Sequence, residues 1–229
     1  VVTNLYPPQE LGGYGRCIAD FVWGLIQNGN SVGVLCSNAD YLDPEGSSVS
    51  HKGSNGEVVV RELKLKGSYK DGVTEYTDST ICSEIDDFNI SLIGVIDMSQ
   101  WDGILVGNLD LLGSRFLQAL TSSKLPVLHH IGFTSLPFSV NEFPGSSNYS
   151  ILAASECVRE NISKSGIPVD EFNVVYPGAR CELFSSDNSS LSYALQYALN
   201  LTERGYSLGS VENPLKIGFA GLLMGSKGL

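Results

Sequence analysis

The chain has 229 residues, 42% of them hydrophobic, which is enough for one large core or one and a fraction. Its 14 basic and 25 acidic residues leave a net charge of −11. That balance excludes a general nucleic-acid binder, which needs a basic footprint, and no apolar run reaches the roughly 18 residues of a membrane span. A small anionic ligand remains compatible with the charge, because a local cluster of backbone N–H groups outweighs a diffuse distant charge. The cysteines (Cys17, Cys36, Cys82, Cys157 and Cys181) are odd in number and contain no C-x-x-C pair. They read as the inert thiols of a reduced, cytoplasmic protein with no zinc site. The chain starts at Val1, inside a strand and with no Met, which reads as an excised piece.

Val1, Val2 and Leu5 read as a short strand. The turn from Pro7-Pro8 to Gly12-Gly13 follows it. Cys17, Ile18, Phe21, Val22, Leu25 and Ile26 then recur at helical spacing and form one apolar stripe. Gly29 closes that helix as a C′ glycine would, and residues 31–36 are a second strand. Strand, glycine turn, helix, strand is the opening of a doubly wound α/β domain. A turn at a helix N-terminus offers free N–H groups and the positive end of the helix dipole. Adjacent glycines let an anion approach them, so Gly12 and Gly13 are candidates to bind phosphate; a plain tight turn needing positive φ is the competing reading.

Residues 38–56 are polar and rich in turn formers, reading as a loop or hairpin. Residues 57–65 alternate as a strand, with Val58, Val60 and Glu62 on one face and Val59, Arg61 and Leu63 on the other. Residues 67–80 read as a further polar connection. Residues 81–98 carry a weak helical pattern, blurred by Gly94 and a β-branched run. Residues 102–108 are a buried parallel strand, 109–120 a helix, 127–131 a strand and 133–147 an irregular aromatic stretch. Residues 150–154 form the next strand. Ser155 caps a helix with Glu156 in its first turn, and a strand over 172–176 ends at Pro177-Gly178. The alternation predicts a mostly parallel sheet. Residues 185–214, rich in Ser and Asn, read as a linker, after which residues 215–221 begin a fresh strand.

Three separated stretches together resemble one family. Pro7-Pro8 with Gly12-Gly13, the amphipathic helix, Gly29 and a Val-rich strand resemble the opening of the family-4, GT-B-type glycosyltransferases. Ala154-Ser155-Glu156, Gly166, residues 174–178 and Glu182-Leu183-Phe184 resemble the close of their first domain. Ile217-Gly218-Phe219-Ala220-Gly221 with Lys227-Gly228 is similar to the strand and loop that open their second domain. The sequence departs from the family pattern at Asn30, Arg180 and Leu222, where histidine, aspartate and arginine are common.

The resemblance implies a Rossmann-like, doubly wound, mostly parallel α/β sheet, the first half of a GT-B two-domain architecture. Residues 1–184 would be the N-terminal, acceptor-side domain. Residues 215–229 would be the truncated start of the nucleotide-sugar-binding domain, so that this fragment alone would be nearly inactive. The implied activity is transfer of a sugar from an NDP-sugar donor to the hydroxyl of a sugar, lipid-linked or small-molecule acceptor. It would proceed with retention and without a metal or other cofactor. Gly12 and Gly13 would face the donor diphosphate and Lys227 would neutralise it as it leaves. His130 or His129 would lie near the transferred sugar. Side chains alternate along a strand, so only one of the pair can face the cleft, and His130 is nearer the carboxyl end where ligands bind. No nucleic-acid partner is expected; peripheral membrane contact through an exposed patch is compatible with the sequence, although no basic amphipathic helix supports it. Two rivals fit the same features: a non-catalytic Rossmann-type module binding a nucleotide or a protein, and an epimerase or phosphorylase of the same architecture.

Overall fold

The computed structural model describes residues 1–43, 50–70, 73–133, 136–169, 173–178 and 180. The chain divides into two compact units, Val1–Gly178 and Ala179–Leu229. The expected domain end at 184, the linker at 185–214, the strand at 215–221 and Lys227 all lie outside the described residues.

The first unit is α/β. Its elements are α1 (Tyr14–Gln27), β1 (Gly33–Ser37), β2 (Ser50–Lys52), β3 (Val58–Leu63), β4 (Gly67–Lys70), β5 (Val73–Tyr76), α2 (Ser79–Val95), β6 (Ile104–Val106), α3 (Ser114–Thr121), β7 (Val127–Ile131), β8 (Tyr149–Ala153) and α4 (Glu156–Lys164). The main sheet is mixed. Residues 1–4 form its centre: Val2 bridges Leu35 on one side and Val106 on the other, both in parallel. Outward from there, β3 runs parallel to β1 and β2 antiparallel to β3. On the other side β6, β7 and β8 are parallel, and Val174 adds a single parallel bridge to Ala153. Across the sheet the strands therefore lie as β2-β3-β1, residues 1–4, β6-β7-β8, and the order reverses between residues 1–4 and β6.

Alternation along the strands divides the core. Val34 and Cys36 face α1, where Ile18, Ala19 and Val22 cover them together with Tyr6 and Val59. Leu35, between them, joins the larger core with Val2, Ile104 and Val106, against Ile93 of α2 and Phe116, Leu117 and Leu120 of α3. Leu25, expected on the buried stripe of α1, is exposed, because the stripe is narrower than drawn.

Other expectations need correcting. Residues 67–76 are not a plain connection but the antiparallel hairpin β4–β5. The strand expected at 172–176 is reduced, over the described residues 173–176, to the bridge at Val174. The helix-by-helix alternation also fails, since among the described residues no helix lies between β1 and β3, and only a 3₁₀ turn at Val140–Glu142 lies between β7 and β8. The weak pattern at 81–98 is a full helix, α2, capped by Asp78, whose carboxylate accepts from the Thr80 N–H at 2.8 Å. Its inward face carries Asn89, which holds the backbone of Lys64 through both amide atoms, at 2.9 and 2.8 Å. No helix among the described residues is long and apolar enough to cross a membrane.

Candidate functional site

The turn over residues 6–13 follows the central segment of the sheet, so it lies at the carboxyl edge. Three buried polar side chains fix its first half. The Tyr6 hydroxyl donates to Glu57 Oε1 at 2.6 Å. Gln9 donates from Nε2 to Asn38 Oδ1 at 2.9 Å and accepts the Ala39 N–H at 2.8 Å. Arg61, 2% exposed, donates to the Pro7 carbonyl at 2.7 Å and contacts Cys36 Sγ at 3.3 Å. The alternation of β3 places Arg61 on the buried face. The chain tolerates it there because its guanidinium satisfies a turn carbonyl that no strand reaches.

The second half is open. Gly12 has φ +73°, a conformation that favours glycine. Gly13 does not, since its φ of −90° and ψ of −10° suit any residue. A Cβ at Gly13 would meet nothing within 4 Å. Gly13 is the N-cap of α1, with no side-chain cap and no acid in the first helical turn. The two glycines thus have different reasons: Gly12 is required by the turn, whereas Gly13 leaves space above a helix N-terminus.

One feature on this edge is unfavourable to an anion. Glu10 forms an ion pair with Arg16, and its Oε2 lies 3.6 Å from where a Gly15 Cβ would stand. That oxygen is buried and without a hydrogen-bond partner among the described residues. Arg16 is largely exposed, so the pair is screened and exchangeable.

His129 and His130 leave β7 on opposite faces. His129 enters the larger core, with Nδ1 2.8 Å from the Tyr149 hydroxyl and its ring beside Phe138. Burial holds its pKa down to about 3; nearby His130 adds to the shift, and a hydrogen bond with the Gly107 backbone opposes it. His130 points to α1, with its ring against Phe21 and Tyr14. Its Nε2 lies 3.1 Å from the Val175 carbonyl. A carbonyl can only accept, so Nε2 carries the proton, and in the neutral ring Nδ1 accepts. The Tyr14 hydroxyl sits 3.0 Å from that Nδ1 and shares its single proton between Nδ1 and the His130 carbonyl. Burial lowers the His130 pKa and raises that of Tyr14.

Tyr14 thereby ties the start of α1 to the end of β7. Gly132 makes room for it: a Cβ there would stand 2.1 Å from Tyr14 Cε2. The structure brings Gly12, Gly13 and His130 to one end of the sheet, and places His129 in the core. Sequence reasoning missed Tyr14, Gly132 and the Glu10–Arg16 pair. The available signals were an aromatic residue directly after Gly-Gly and a glycine directly after a buried strand.

Among the described residues no group of three or more His, Cys, Asp or Glu is placed to hold a metal ion. An apolar cavity of about 420 Å³ opens at the opposite, amino end of the strands, between Gly33, Val58 and Ile104 and the end of α2. Among the described residues Glu62 is the one charged side chain in its wall, and Gly12, Gly13, His129 and His130 do not line it. No protein-family model matches the chain, and no curated protein or solved structure is significantly similar to it.

Proposed function

We propose that this chain is the acceptor-side, Rossmann-like part of a GT-B-type glycosyltransferase that moves a sugar from an NDP-sugar to a hydroxyl. The observation that carries the reading is Gly13. It leaves free space over an uncapped helix N-terminus, at the carboxyl edge of a largely parallel sheet. The strand order supports it, because ligands of open α/β sheets bind at that edge, where the order reverses. In this reading the N–H groups at the start of α1 hold the donor diphosphate, and Gly12 lets the backbone turn towards it. Charge develops on the diphosphate as the glycosidic bond breaks, and oriented N–H dipoles stabilise it without reorganising. The family resemblance would give Lys227, which lies outside the described residues, the role of neutralising that group. His130 acts as a positioning residue: through Tyr14 it fixes the N-terminus of α1. Its Nε2–H becomes a sugar contact where a substrate oxygen replaces the Val175 carbonyl. Retention of configuration belongs to the same proposal.

A second reading, a non-catalytic module binding a nucleotide or a protein, is favoured by one observation. Both ring nitrogens of His130 already have protein partners. Calorimetric titration of the full chain with UDP, GDP, UDP-glucose and GDP-mannose, native against Gly13→Val, tests the main reading. Binding that weakens at least tenfold in the variant, with labelled sugar passed to an added acceptor by the native protein, supports it. Equal binding by both proteins, or none by either, refutes the diphosphate role; binding without transfer leaves the second reading standing.

A further inference from the structure

The apolar cavity at the amino end of the strands has a structural origin. Val58, Val60 and Glu62 share one face of β3, and Val60 packs against the larger core beside α2. Asn89 pins α2 to the backbone of Lys64, just past the carboxyl end of β3. At the amino end the two elements do not close on each other. Val58 is 54% exposed and Val95, the last residue of α2, is 80% exposed, although both line the same cavity. Ile96 then leaves α2 in an extended conformation, and the turn Met98–Gln100 leads into Trp101. The Trp101 ring lies so near the start of β1 that a Cβ at Gly33 would stand 2.8 Å from its Cη2. Leu35 and Leu120, both buried, form the deep part of the wall.

The walls decide what the space of about 420 Å³ can hold. Ordered water is kept by polar partners, and here the lining is hydrocarbon. A peptide strand inside it would bury backbone N–H and C=O groups without partners. Nor does a helix fit, since one turn about 10 Å across and about 5.4 Å long already occupies roughly 420 Å³. A hydrocarbon chain matches the walls and needs no partner. A cavity of about 150 Å³ holds one benzene ring, so this one takes a chain of roughly ten to sixteen carbons. Glu62 sets the other end of the ligand. It is exposed and is the one charge in the wall among the described residues, so it repels an anionic head, in the same sense as the net charge of −11.

We propose that the cavity between β3 and the end of α2 binds the single hydrocarbon chain of an amphiphile whose head is not anionic. The site lies at the opposite end of the sheet from Gly12 and Gly13 and does not rest on the transferase reading. Octanol, decanol and decanoate, each below its micellar concentration, are titrated into the full chain by calorimetry. Native protein is compared with Val60→Phe and Ile96→Phe, whose rings occupy the space. The expected result is one decanol per chain, bound more tightly than octanol by about fourfold for each added methylene. Decanoate should bind at least threefold more weakly than decanol. Trp101 emission should shift on binding, since Trp23 does not line the cavity. Each filled variant should bind decanol at least tenfold more weakly, with a thermal midpoint unchanged or raised, as cavity filling does. Failure of decanol to bind the native protein overturns the site, and so does equal binding by both filled variants. A midpoint lowered by several degrees in both variants also overturns it, because the added rings would then have met side chains rather than space. Decanoate binding as tightly as decanol overturns the assignment of the head.

Discussion

Gly13→Ala separates a glycine kept for the fold from one kept for a ligand. Gly13 already has helical dihedrals, and the added methyl carbon meets nothing within 4 Å. Restricting the unfolded chain stabilises by about 0.4–1 kcal/mol. Against this, alanine is a poorer N-cap than glycine, by roughly 0.5–1 kcal/mol. The two effects cancel to within about 0.5 kcal/mol, a midpoint shift of about 2 °C or less for a domain of this size. The effect on an anion is larger. A methyl over the first turn keeps a phosphate oxygen from hydrogen-bond distance of one or two N–H groups, each worth about 1.5–3 kcal/mol when charge-assisted. UDP affinity should therefore fall about tenfold to a hundredfold while differential scanning fluorimetry shows an unchanged fold. Gly12→Ala is the contrasting control, since φ +73° makes it costly to the fold whatever binds. Loss of more than about 2 kcal/mol of stability in Gly13→Ala, or unchanged UDP affinity, would refute the reasoning.

Gly132→Ala drives a methyl to 2.1 Å from the Tyr14 ring and should cost about 1–3 kcal/mol in urea denaturation, as overpacking does. Glu10→Gln removes the carboxylate beside α1 and frees Arg16; UDP affinity should rise about twofold to fivefold, in line with one charge near a helix terminus, and an unchanged or lower affinity counts against an anion site. His129 remains neutral in the fold down to about pH 3, whereas the unfolded chain protonates it near pH 6.5. Between those values the unfolded state binds more protons, so stability falls as pH falls, by about 2 kcal/mol from pH 7.5 to pH 5; His129→Gln should remove that loss, read from denaturation at the two pH values.

Elements whose apolar residues repeat at the right period were legible in the sequence. The helices α1 and α4, the strands β1, β3, β6, β7 and β8, and the Ser155 cap belong to that group. The hairpin β4–β5 was hidden because its residues are mostly polar, so no apolar alternation marks it. For α2 the inward face holds Asp86 and Asn89, used for an ion pair with Lys66 and a grip on the Lys64 backbone, and these polar residues break the apolar period. At the site, the opposite orientation of His129 and His130 followed from strand alternation alone. The link from Tyr14 to His130 did not, since it joins residues 116 apart.

Polarity orders what could bind along the carboxyl edge. At the α1 end of this edge the outward groups are helix N-terminal donors, which on the proposed transferase reading would meet the donor diphosphate. Glu10 limits the anionic end. Its pairing with Arg16 means that an incoming phosphate must take Arg16 from a carboxylate already in place. Exposed pairs of this kind are worth about 0–1 kcal/mol, so the exchange is nearly neutral and Arg16 adds little net affinity. On the proposed transferase reading, donor binding by the described residues should then be carried by the backbone N–H groups, which places the energetic weight of the site on Gly13 rather than on any side chain around it.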